Sequence, residues 1–465
     1  MEENRSVGRF CPEDFGLQGF FIAPTYILRC TFHPDSLHRE RGMEGKTLSS
    51  PIPFLQRALQ VARKGRGKVS PNPLVGAVLV KDGKIIGEGF HRKYGGKHAE
   101  AWAIEEATRK GYLVEGSDLY CTLEPCCFTG PEKHQPPCTD LILQHKIKRV
   151  FLCTLDPHPR VRGKGAGILL DAGIEVRVGI LASQALALNE GFFTYQIQGR
   201  PFVHLKIAQS IDGRIAALDG DSRWITDEQA RRMVHRLRAT YDAVLVGKNT
   251  ARVDDPELTV RLLKGRNPYR IVLDSRLELP LCSKIFHLRD PDRTIVITAA
   301  YPSTSERGSY TGAPLERESF EKKRQSLERL GVRVVAVPLH PNAPSGTPPG
   351  LLDLSALLSR LGDLGIRSIL VEGGASVFTS FLREGLFDRI TFFIAPMVIG
   401  KGVEGIGDLG IRRIAEHLRF EGVRFRRIGN QIVLDGYRVG FLEDLYRATV
   451  PAPQQEEVKV CSPVS

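Results

Sequence analysis

Four residues at a characteristic spacing constrain this chain more than any other feature. His98 is followed two residues later by Glu100, and two cysteines that follow prolines, Cys126 and Cys138, come further along. One imidazole and two thiolates form a set suited to zinc, and three protein ligands leave a fourth tetrahedral position for water. A closed structural zinc site and unrelated buried cysteines are the alternatives. We favour the open site, because a structural site usually has four protein ligands and needs no neighbouring glutamate.

Glu100 lies too close to His98 to be an independent ligand, and it is well placed to move protons. Zinc-dependent nucleobase deaminases carry H-x-E followed by P-C-x-x-C, with the glutamate acting as acid and base. Here Thr129 stands where the second cysteine would fall, so Cys138 takes that role. The pattern predicts hydrolytic deamination, in which zinc lowers the pKa of bound water and Glu100 passes protons to the ring nitrogen and the leaving ammonia.

Three further residues near this motif could take part in the site. Cys127 neighbours Cys126, but adjacent cysteines rarely reach one tetrahedral metal, so we interpret it as a bystander. Cys121 lies within a predicted strand and is expected to be a packed core thiol. His134 is either a solvent-facing loop residue or an alternative ligand, and the loop is favoured because three ligands are already present.

Strand and helix patterns alternate through two long segments, 51–185 and 200–445. In the first, an amphipathic helix precedes two strands joined by a turn at Asp82 and Gly83, and a further helix begins near His98. Such alternation indicates an α/β layer fold with the zinc ligands at helix N-termini, including one expected to begin at Cys126. The second segment predicts a doubly wound sheet with a cofactor at the carboxyl ends of its strands.

The remaining parts of the chain and its composition restrict the function. Residues 1–50 are expected to be a disordered extension, 187–202 a connector and 446–465 a disordered tail. The net charge of +12 is spread along the chain, which suits anionic small molecules and offers no basic arm for nucleic acid. Four of the nine cysteines fall between 121 and 138, which is typical of metal chemistry in a reducing compartment, so we expect a cytoplasmic protein. The sequence predicts no membrane span.

Candidate ligand-binding residues in the second segment are less specific. The turn at 372–374 leads from a strand to a helix; it either binds an anion or is a tight turn that needs flexible glycines. The pair at 254–255 is either an acid pair or, as we favour, a turn. Lys206, Arg238 and Arg261 are candidate clamps for anions. Since no G-x-G-x-x-G fingerprint is present, these residues alone do not identify a dinucleotide.

Motifs in both segments resemble the RibD family of bifunctional riboflavin-biosynthesis proteins, which join a pyrimidine deaminase to a pyrimidine reductase. They are SPNPLVGAVLVKDGKIIGEG, KHAEAWAI and LYCTLEPC…PPC, then RPFVHLKIAQSIDGRIA, NTARVDDPELTVR and VEGGASVFTSFL. The resemblance extends roughly from Pro53 to Gly440. It implies a cytidine-deaminase-like three-layer α/β/α domain followed by a dihydrofolate-reductase-like doubly wound α/β domain.

The resemblance also implies substrates, cofactors and residue roles. The first domain would deaminate 2,5-diamino-6-(5-phosphoribosylamino)pyrimidin-4-one with Zn²⁺, and the second would reduce the ribosyl group of the product to ribityl with NADPH. A small phosphorylated pyrimidine is thus the expected partner, without nucleic acid or membrane, and we expect a homo-oligomer. Glu100 would be the proton donor, and zinc would be held by His98, Cys126 and Cys138. The implied NADPH contacts are Ala208, Trp224, Thr226, Thr250, Asp254, Ser275 and Gly374. The implied substrate contacts are Asn72, Lys206, Ser222, Arg238, Leu258, Arg261 and Glu372.

The chain departs from the family pattern in two places. The family loop S-H-x-G-[RK]-T-P-P-C reads CFTGPEKHQPPC here and is about three residues longer, and the family's D-P-N-P reads D-P-H-P at 156–159. Because these positions shape the substrate pocket, one alternative is that only one half is active, most simply the reductase. A nucleic-acid base deaminase, which would show salt-dependent retention on RNA, and a noncatalytic zinc scaffold are further alternatives.

Overall fold

The computed structural model describes residues 50–130, 135–300, 314–341 and 350–451. His134, nearly all of the expected N-terminal extension and most of the expected tail lie outside these ranges. No helix in the described ranges combines the length and the apolar character that crossing a membrane requires.

Within the described residues, the first unit is built on a five-stranded sheet in the order β2-β1-β3-β4-β5. Its strands are β1 (Gly76–Lys81), β2 (Lys84–Phe90), β3 (Asp118–Cys121), β4 (Arg149–Leu152) and β5 (Glu175–Val178). Its helices are α1 (Ile52–Ala62), α2 (Ala99–Arg109), α3 (Cys138–Gln144), α4 (Lys164–Asp171) and α5 (Ala182–Leu188). β1 runs antiparallel to β2 and β3, whereas β3, β4 and β5 are parallel.

The alternation of apolar residues along β1 divides the core of this unit between two faces. Val78 and Val80 pack with α1 and α5 on one face, and Ala77 and Leu79 pack with α2, α3 and α4 on the other. The turn between β1 and β2 is the predicted Asp-Gly pair, and Asp82 and Gly83 both have left-handed backbone conformations, with φ of 51° and 75°. The expected three-layer α/β/α arrangement is confirmed.

The second unit contains a nine-stranded sheet, counted over the described residues, in the order β11-β10-β9-β8-β12-β6-β13-β16-β15. Its strands are β6 (Phe202–Ser210), β8 (Ala243–Gly247), β9 (Tyr269–Leu273), β10 (Thr294–Ala299), β11 (Arg333–Val337), β12 (Ser368–Gly373), β13 (Arg389–Ala395), β15 (Phe420–Ile428) and β16 (Gln431–Arg438). Two short strands, β7 (Arg214–Ala217) and β14 (Gly402–Glu404), pair separately. The helices are α7 (Glu228–Thr240), α8 (Lys248–Asp254), α9 (Pro314–Arg329), α10 (Leu354–Asp363), α11 (Ala375–Arg383) and α12 (Phe441–Thr449).

This large sheet is parallel except for β16, which runs antiparallel to both β13 and β15. Helices cover both of its faces, since α10 and α11 belong to one hydrophobic cluster whereas α8, α9 and α12 belong to the other. The doubly wound prediction is therefore confirmed.

Three predicted local features differ from the structure. The expected connector at 187–202 is largely helical, because α5 ends within it and α6 (Glu190–Gln198) buries Phe193 completely. Helix α12 continues to Thr449, so 446–449 are helical and not part of a tail. No helix begins at Cys126, which lies in the irregular segment after β3.

The two units are joined by specific contacts as well as by the chain. The amide of Leu155, after β4, donates to the carbonyl of Thr449 at the end of α12, at 2.9 Å. The side chain of Asn189 bonds both the amide and the carbonyl of Leu74, at 2.7 and 2.9 Å. Leu186 and Phe441, from α5 and α12, lie in one buried cluster. The helices between the sheets therefore form a packed junction.

Candidate active sites

The predicted zinc ligands converge in the first unit. The Nδ1 atom of His98 lies 3.4 Å from the Sγ atoms of both Cys126 and Cys138, and the ligand atoms of all three lie within 4.8 Å of one another. Zinc bonds of roughly 2.0 Å to nitrogen and 2.3 Å to sulfur require separations of this size around a tetrahedral centre. The two cysteines are buried and the histidine is partly buried. These residues therefore fit a zinc ion with a fourth position open.

Helix ends and a loop glutamine hold the ligands. His98 is the N-cap of α2 and Cys138 is the first residue of α3. The backbone amide of Cys138 points at the Sγ atom of Cys126, 3.4 Å away, and such amides favour a thiolate. The backbone amide of His98 donates to Oε1 of Gln135 at 3.0 Å. The sequence interpretation did not identify Gln135, although it directly precedes the Pro-Pro-Cys motif.

Glu100 lies in the first turn of α2 and is only 2% exposed. Its Oε2 atom has no hydrogen-bond partner among the described residues. Burial raises the pKa of this carboxyl above its usual range, and His98 opposes the shift. A buried carboxyl group with an unsatisfied oxygen beside the ligands can accept and return a proton.

Asn72 is oriented by a chain of hydrogen bonds. Nδ1 of His91 lies 3.1 Å from the carbonyl of Lys97, so this nitrogen carries the proton. Nε2 of His91 is then the acceptor for Nδ2 of Asn72, at 3.2 Å. Burial lowers the pKa of His91, which favours this neutral form. The amide oxygen of Asn72 is thereby left to accept from a ligand. His91 was not among the predicted site residues.

Glu124 joins the two loops that border the zinc ligands. Its carboxylate accepts backbone hydrogen bonds from Asp156, Gly163 and Ala166, at 2.9 to 3.0 Å. Burial raises its pKa to about 7. A Cβ atom at Gly165 would lie 2.3 Å from the carbonyl oxygen of Pro125, so only glycine permits this approach. Neither the role of Glu124 nor that of Gly165 was predicted from the sequence.

The second unit contains a cavity of about 780 Å³ that includes the carboxyl ends of β8, β9 and β12. Five of the predicted contact residues line it: Ser222, Thr250, Asp254, Ser275 and Gly374. Gly374 is the N-cap of α11, and a Cβ atom there would lie 2.9 Å from Oγ1 of Thr250. The turn thus brings a helix N-terminus to the cavity, which is a favourable position for phosphate groups.

Lys206, Arg238 and Glu372 form a buried charged cluster. Arg238 donates twice to the Glu372 carboxylate, at 2.6 and 2.9 Å, and Lys206 Nζ lies 3.6 Å from Oε2 of the same group. Burial alone would raise the pKa of Glu372, but the two cations hold it at about 2. Arg238 also donates to the carbonyl of Thr259. Much of its donor capacity is therefore used within the protein, and less of it remains for the anion clamp that the sequence suggested.

Arg261 and Leu258 lie on the segment after α8. The Arg261 side chain is half exposed and pairs with Glu257 at 2.9 Å, and its amide donates to Nδ1 of His235 at 3.1 Å. Leu258 is 2% exposed and packs in the core. His235 and Glu257 were not predicted from the sequence.

Three predicted cofactor contacts are absent from the residues that line the cavity. Ala208 lies on β6 beside the charged cluster, two residues after Lys206. Trp224 is 68% exposed, and Cζ of Arg231 lies 4.3 Å from its ring centroid. Arg231 also donates to the carbonyl of Thr226, at 2.6 Å. Arg231 thus organises the segment that carries two of these residues.

Comparison with known proteins matches both units. The family model of the RibD C-terminal domain matches residues 201–434, and that of the cytidine and deoxycytidylate deaminase zinc-binding region matches 49–154. RibD of Aquifex aeolicus is 44% identical over 382 residues, 82% of this chain and 96% of that protein. RibD of Escherichia coli is 35% identical over 387 residues, which are 82% of this chain and 97% of that protein.

Solved structures agree with this match. RibD of Acinetobacter baumannii is similar with a TM-score of 0.69 and 34% identity, covering 84% of this chain and 99% of that one. A second similar structure is that of a diaminohydroxyphosphoribosylaminopyrimidine deaminase/5-amino-6-(5-phosphoribosylamino)uracil reductase from Thermotoga maritima. Its TM-score is 0.68 and its identity 37%, and the match covers 83% of this chain and 98% of that one.

The fold and the two clusters define a two-unit enzyme, in which a zinc-binding deaminase unit precedes a reductase unit. The extent of the matches assigns the family: the chain belongs to the RibD family of riboflavin biosynthesis proteins. It is bifunctional, with pyrimidine deaminase and reductase activities, as the motifs predicted.

Proposed function

We propose that this chain deaminates 2,5-diamino-6-(5-phosphoribosylamino)pyrimidin-4-one and then reduces 5-amino-6-(5-phosphoribosylamino)uracil with NADPH. The observation that carries the proposal is the buried carboxyl of Glu100 beside a His98, Cys126 and Cys138 triad with one open position. The relative from Thermotoga maritima is named for these two activities.

In the deaminase site, bound zinc would supply a water that is activated near neutral pH. Glu100 would carry the two protons of the attacking water in turn, the first to the ring nitrogen and the second to the departing ammonia. The amide oxygen of Asn72, fixed by His91, would accept a hydrogen bond from the substrate and orient its ring. The open position of the ligand set and the buried proton carrier serve one hydrolytic step.

In the reductase site, NADPH would supply the hydride. The cavity residues Thr250, Ser275 and Gly374 would hold the cofactor, with its phosphates near the N-terminus of α11. Arg261, which is half exposed, would bind the substrate phosphate, and Lys206 would donate to the sugar oxygen near the carbon that accepts the hydride. Ala208, Ser222, Trp224, Thr226, Asp254 and the main chain of Leu258 would complete the contacts.

Arg238 and Glu372 would set the charge around the reacting sugar. Since the pair is bidentate and buried, Glu372 keeps a fixed orientation beside Lys206. We also propose domain boundaries near 51–185 and 200–445, a cytoplasmic location and a homo-oligomeric assembly, for which the sequence arguments are the support.

An assay of ammonia release and NADPH oxidation with each substrate tests both halves. The diamino compound should yield ammonia without NADPH, and the aminouracil should oxidise NADPH without releasing ammonia. Both steps should follow in order when the diamino compound and NADPH are supplied together. If the diamino compound releases no ammonia from the zinc-loaded protein, only the reductase half of the proposal stands. The altered loop between the cysteines makes that outcome the second candidate.

A further inference from the structure

The segment after α8 carries two of the proposed substrate contacts, Leu258 and Arg261, and lacks regular secondary structure. Residues 255–261 form neither helix nor strand. The backbone of Leu258 is left-handed, with φ of 53°, and its side chain is only 2% exposed. A leucine adopts this unfavourable conformation only where its surroundings determine it. Contacts from other parts of the fold must therefore set the position of this segment.

Side chains provide the hydrogen bonds that a neighbouring strand would otherwise give this segment. Three consecutive residues each bind one side chain through the main chain. The bonds run from Nη1 of Arg238 to the carbonyl of Thr259 (3.2 Å), from the amide of Val260 to Oδ1 of Asn267 (2.9 Å), and from the amide of Arg261 to Nδ1 of His235 (3.1 Å). The last bond acts on the residue that is proposed to bind the substrate phosphate.

His235 is well suited to hold the amide of Arg261 at a fixed position. It lies on α7 three residues before Arg238, so both side chains leave the same face of the helix. Arg238 is anchored by its bidentate pair with Glu372, and His235 is only 7% exposed. Because Nδ1 accepts a hydrogen bond, the neutral ring carries its proton on Nε2. Burial, together with Arg238 and Arg261, lowers the pKa of His235 to about 4, which keeps the ring neutral and able to accept.

We propose that His235 is a positioning residue of the reductase site: it fixes the main chain of Arg261 so that the guanidinium meets the substrate phosphate. The pair with Glu257 engages Nη1 of Arg261, which leaves Nε and Nη2 for a phosphate. A long side chain binds more tightly when its main chain is fixed in advance, because less freedom is lost on binding. The inference rests on the proposed function, since it takes Arg261 to bind the phosphate of the aminouracil.

Steady-state NADPH oxidation tests this role with two pyrimidines, the phosphorylated aminouracil and its dephosphorylated riboside. His235→Leu removes the acceptor and should raise KM for the phosphorylated compound about tenfold, the effect expected from one lost buried hydrogen bond. KM for the riboside and KM for NADPH should stay within about twofold of the parent values, because neither depends on a phosphate bound by Arg261.

His235→Asn is the rescuing variant. Its Oδ1 atom is bonded to Cγ, as Nδ1 of histidine is, and can accept from the amide of Arg261. KM for the phosphorylated compound should then stay within about twofold of the parent value. Arg236→Gln, which removes an exposed charge from the next residue of α7, is the matched control and should change none of the three constants.

The pattern of constants separates positioning from a purely structural role. Partial unfolding lowers the amount of active enzyme and thus the apparent kcat, but it does not raise KM for one pyrimidine alone. Unchanged KM in His235→Leu, an equal rise for both pyrimidines, or an equal rise in His235→Asn would refute the positioning role and leave the proposed reduction standing. If the parent chain does not oxidise NADPH with the phosphorylated aminouracil, the proposed reduction itself is refuted, and the inference with it.

Discussion

The carboxylate of Glu372 and the guanidinium of Arg238 form a bidentate pair, at 2.6 and 2.9 Å, inside the reductase unit. Both side chains are largely buried, and Lys206 shares the same carboxylate. The pair joins β12 to α7 and lies beside the strand that carries Ala208. The electrostatics of this site are therefore built into the fold before any substrate binds.

Glu372→Gln should destabilise the protein by about 3 kcal/mol, because it leaves two buried cations without their counter-charge. Urea denaturation monitored by circular dichroism measures the change. Glu228→Gln removes an exposed pair with Arg232 on α7 and should cost no more than about 0.5 kcal/mol. Equal losses in the two variants would contradict the role of burial in this cluster.

Glu100→Gln should lower the rate of deamination by at least about a hundredfold, because the proton carrier is lost. Zinc content, measured by atomic absorption, should be unchanged since Glu100 is not one of the three converging ligands. NADPH oxidation with the aminouracil should also be retained. A variant that still releases ammonia at the parent rate would refute the assigned role.

Gln135→Ala should weaken zinc binding by up to about tenfold, because the hydrogen bond that holds the backbone of His98 is lost. Competition with a chromophoric chelator measures the zinc affinity. Gln144→Ala makes the same substitution at an exposed position on α3 and should leave the affinity unchanged. Unchanged affinity in Gln135→Ala would show that α2 holds His98 without the loop.

His235 should make the stability of the reductase unit depend on pH. Burial, together with Arg238 and Arg261, lowers its pKa from 6.5 to about 4. The unfolded chain then binds a proton that the folded chain does not, so stability is highest above pH 6.5 and falls as the pH drops towards 4. Urea denaturation between these pH values should show a smaller decrease for His235→Asn, which keeps an acceptor for the amide of Arg261.

The sequence predicted the zinc triad because its chemistry depends on residue types at short spacing. The three ligands converge in the structure as predicted: His98, Cys126 and Cys138. The one difference is that Cys126 lies in an irregular segment and not at the start of a helix. Gln135 could not be predicted, since its role depends on how a loop folds back onto the amide of His98.

Long-range contacts account for the other differences. The bond from Asn72 to His91, 19 residues later, fixes an amide whose orientation no local pattern encodes. Arg238 was expected to bind an anion, but it pairs with Glu372, which is 134 residues away in the sequence. No local pattern indicates this partner either. The predicted connector became a helical junction because its apolar residues face a second sheet, which periodicity in one segment does not reveal.

The bond between Leu155 and Thr449 has a consequence for biosynthesis on the ribosome. A loop of the N-terminal unit obtains its backbone partner from the last described helix, so this part of the deaminase is completed only when nearly the whole chain has been translated. Separating the two activities by cutting the gene just after α5, near residue 188, would leave α5 without α12 and would expose the apolar surface between them. A separately expressed N-terminal half would therefore need its own copy of α12 to cover this surface.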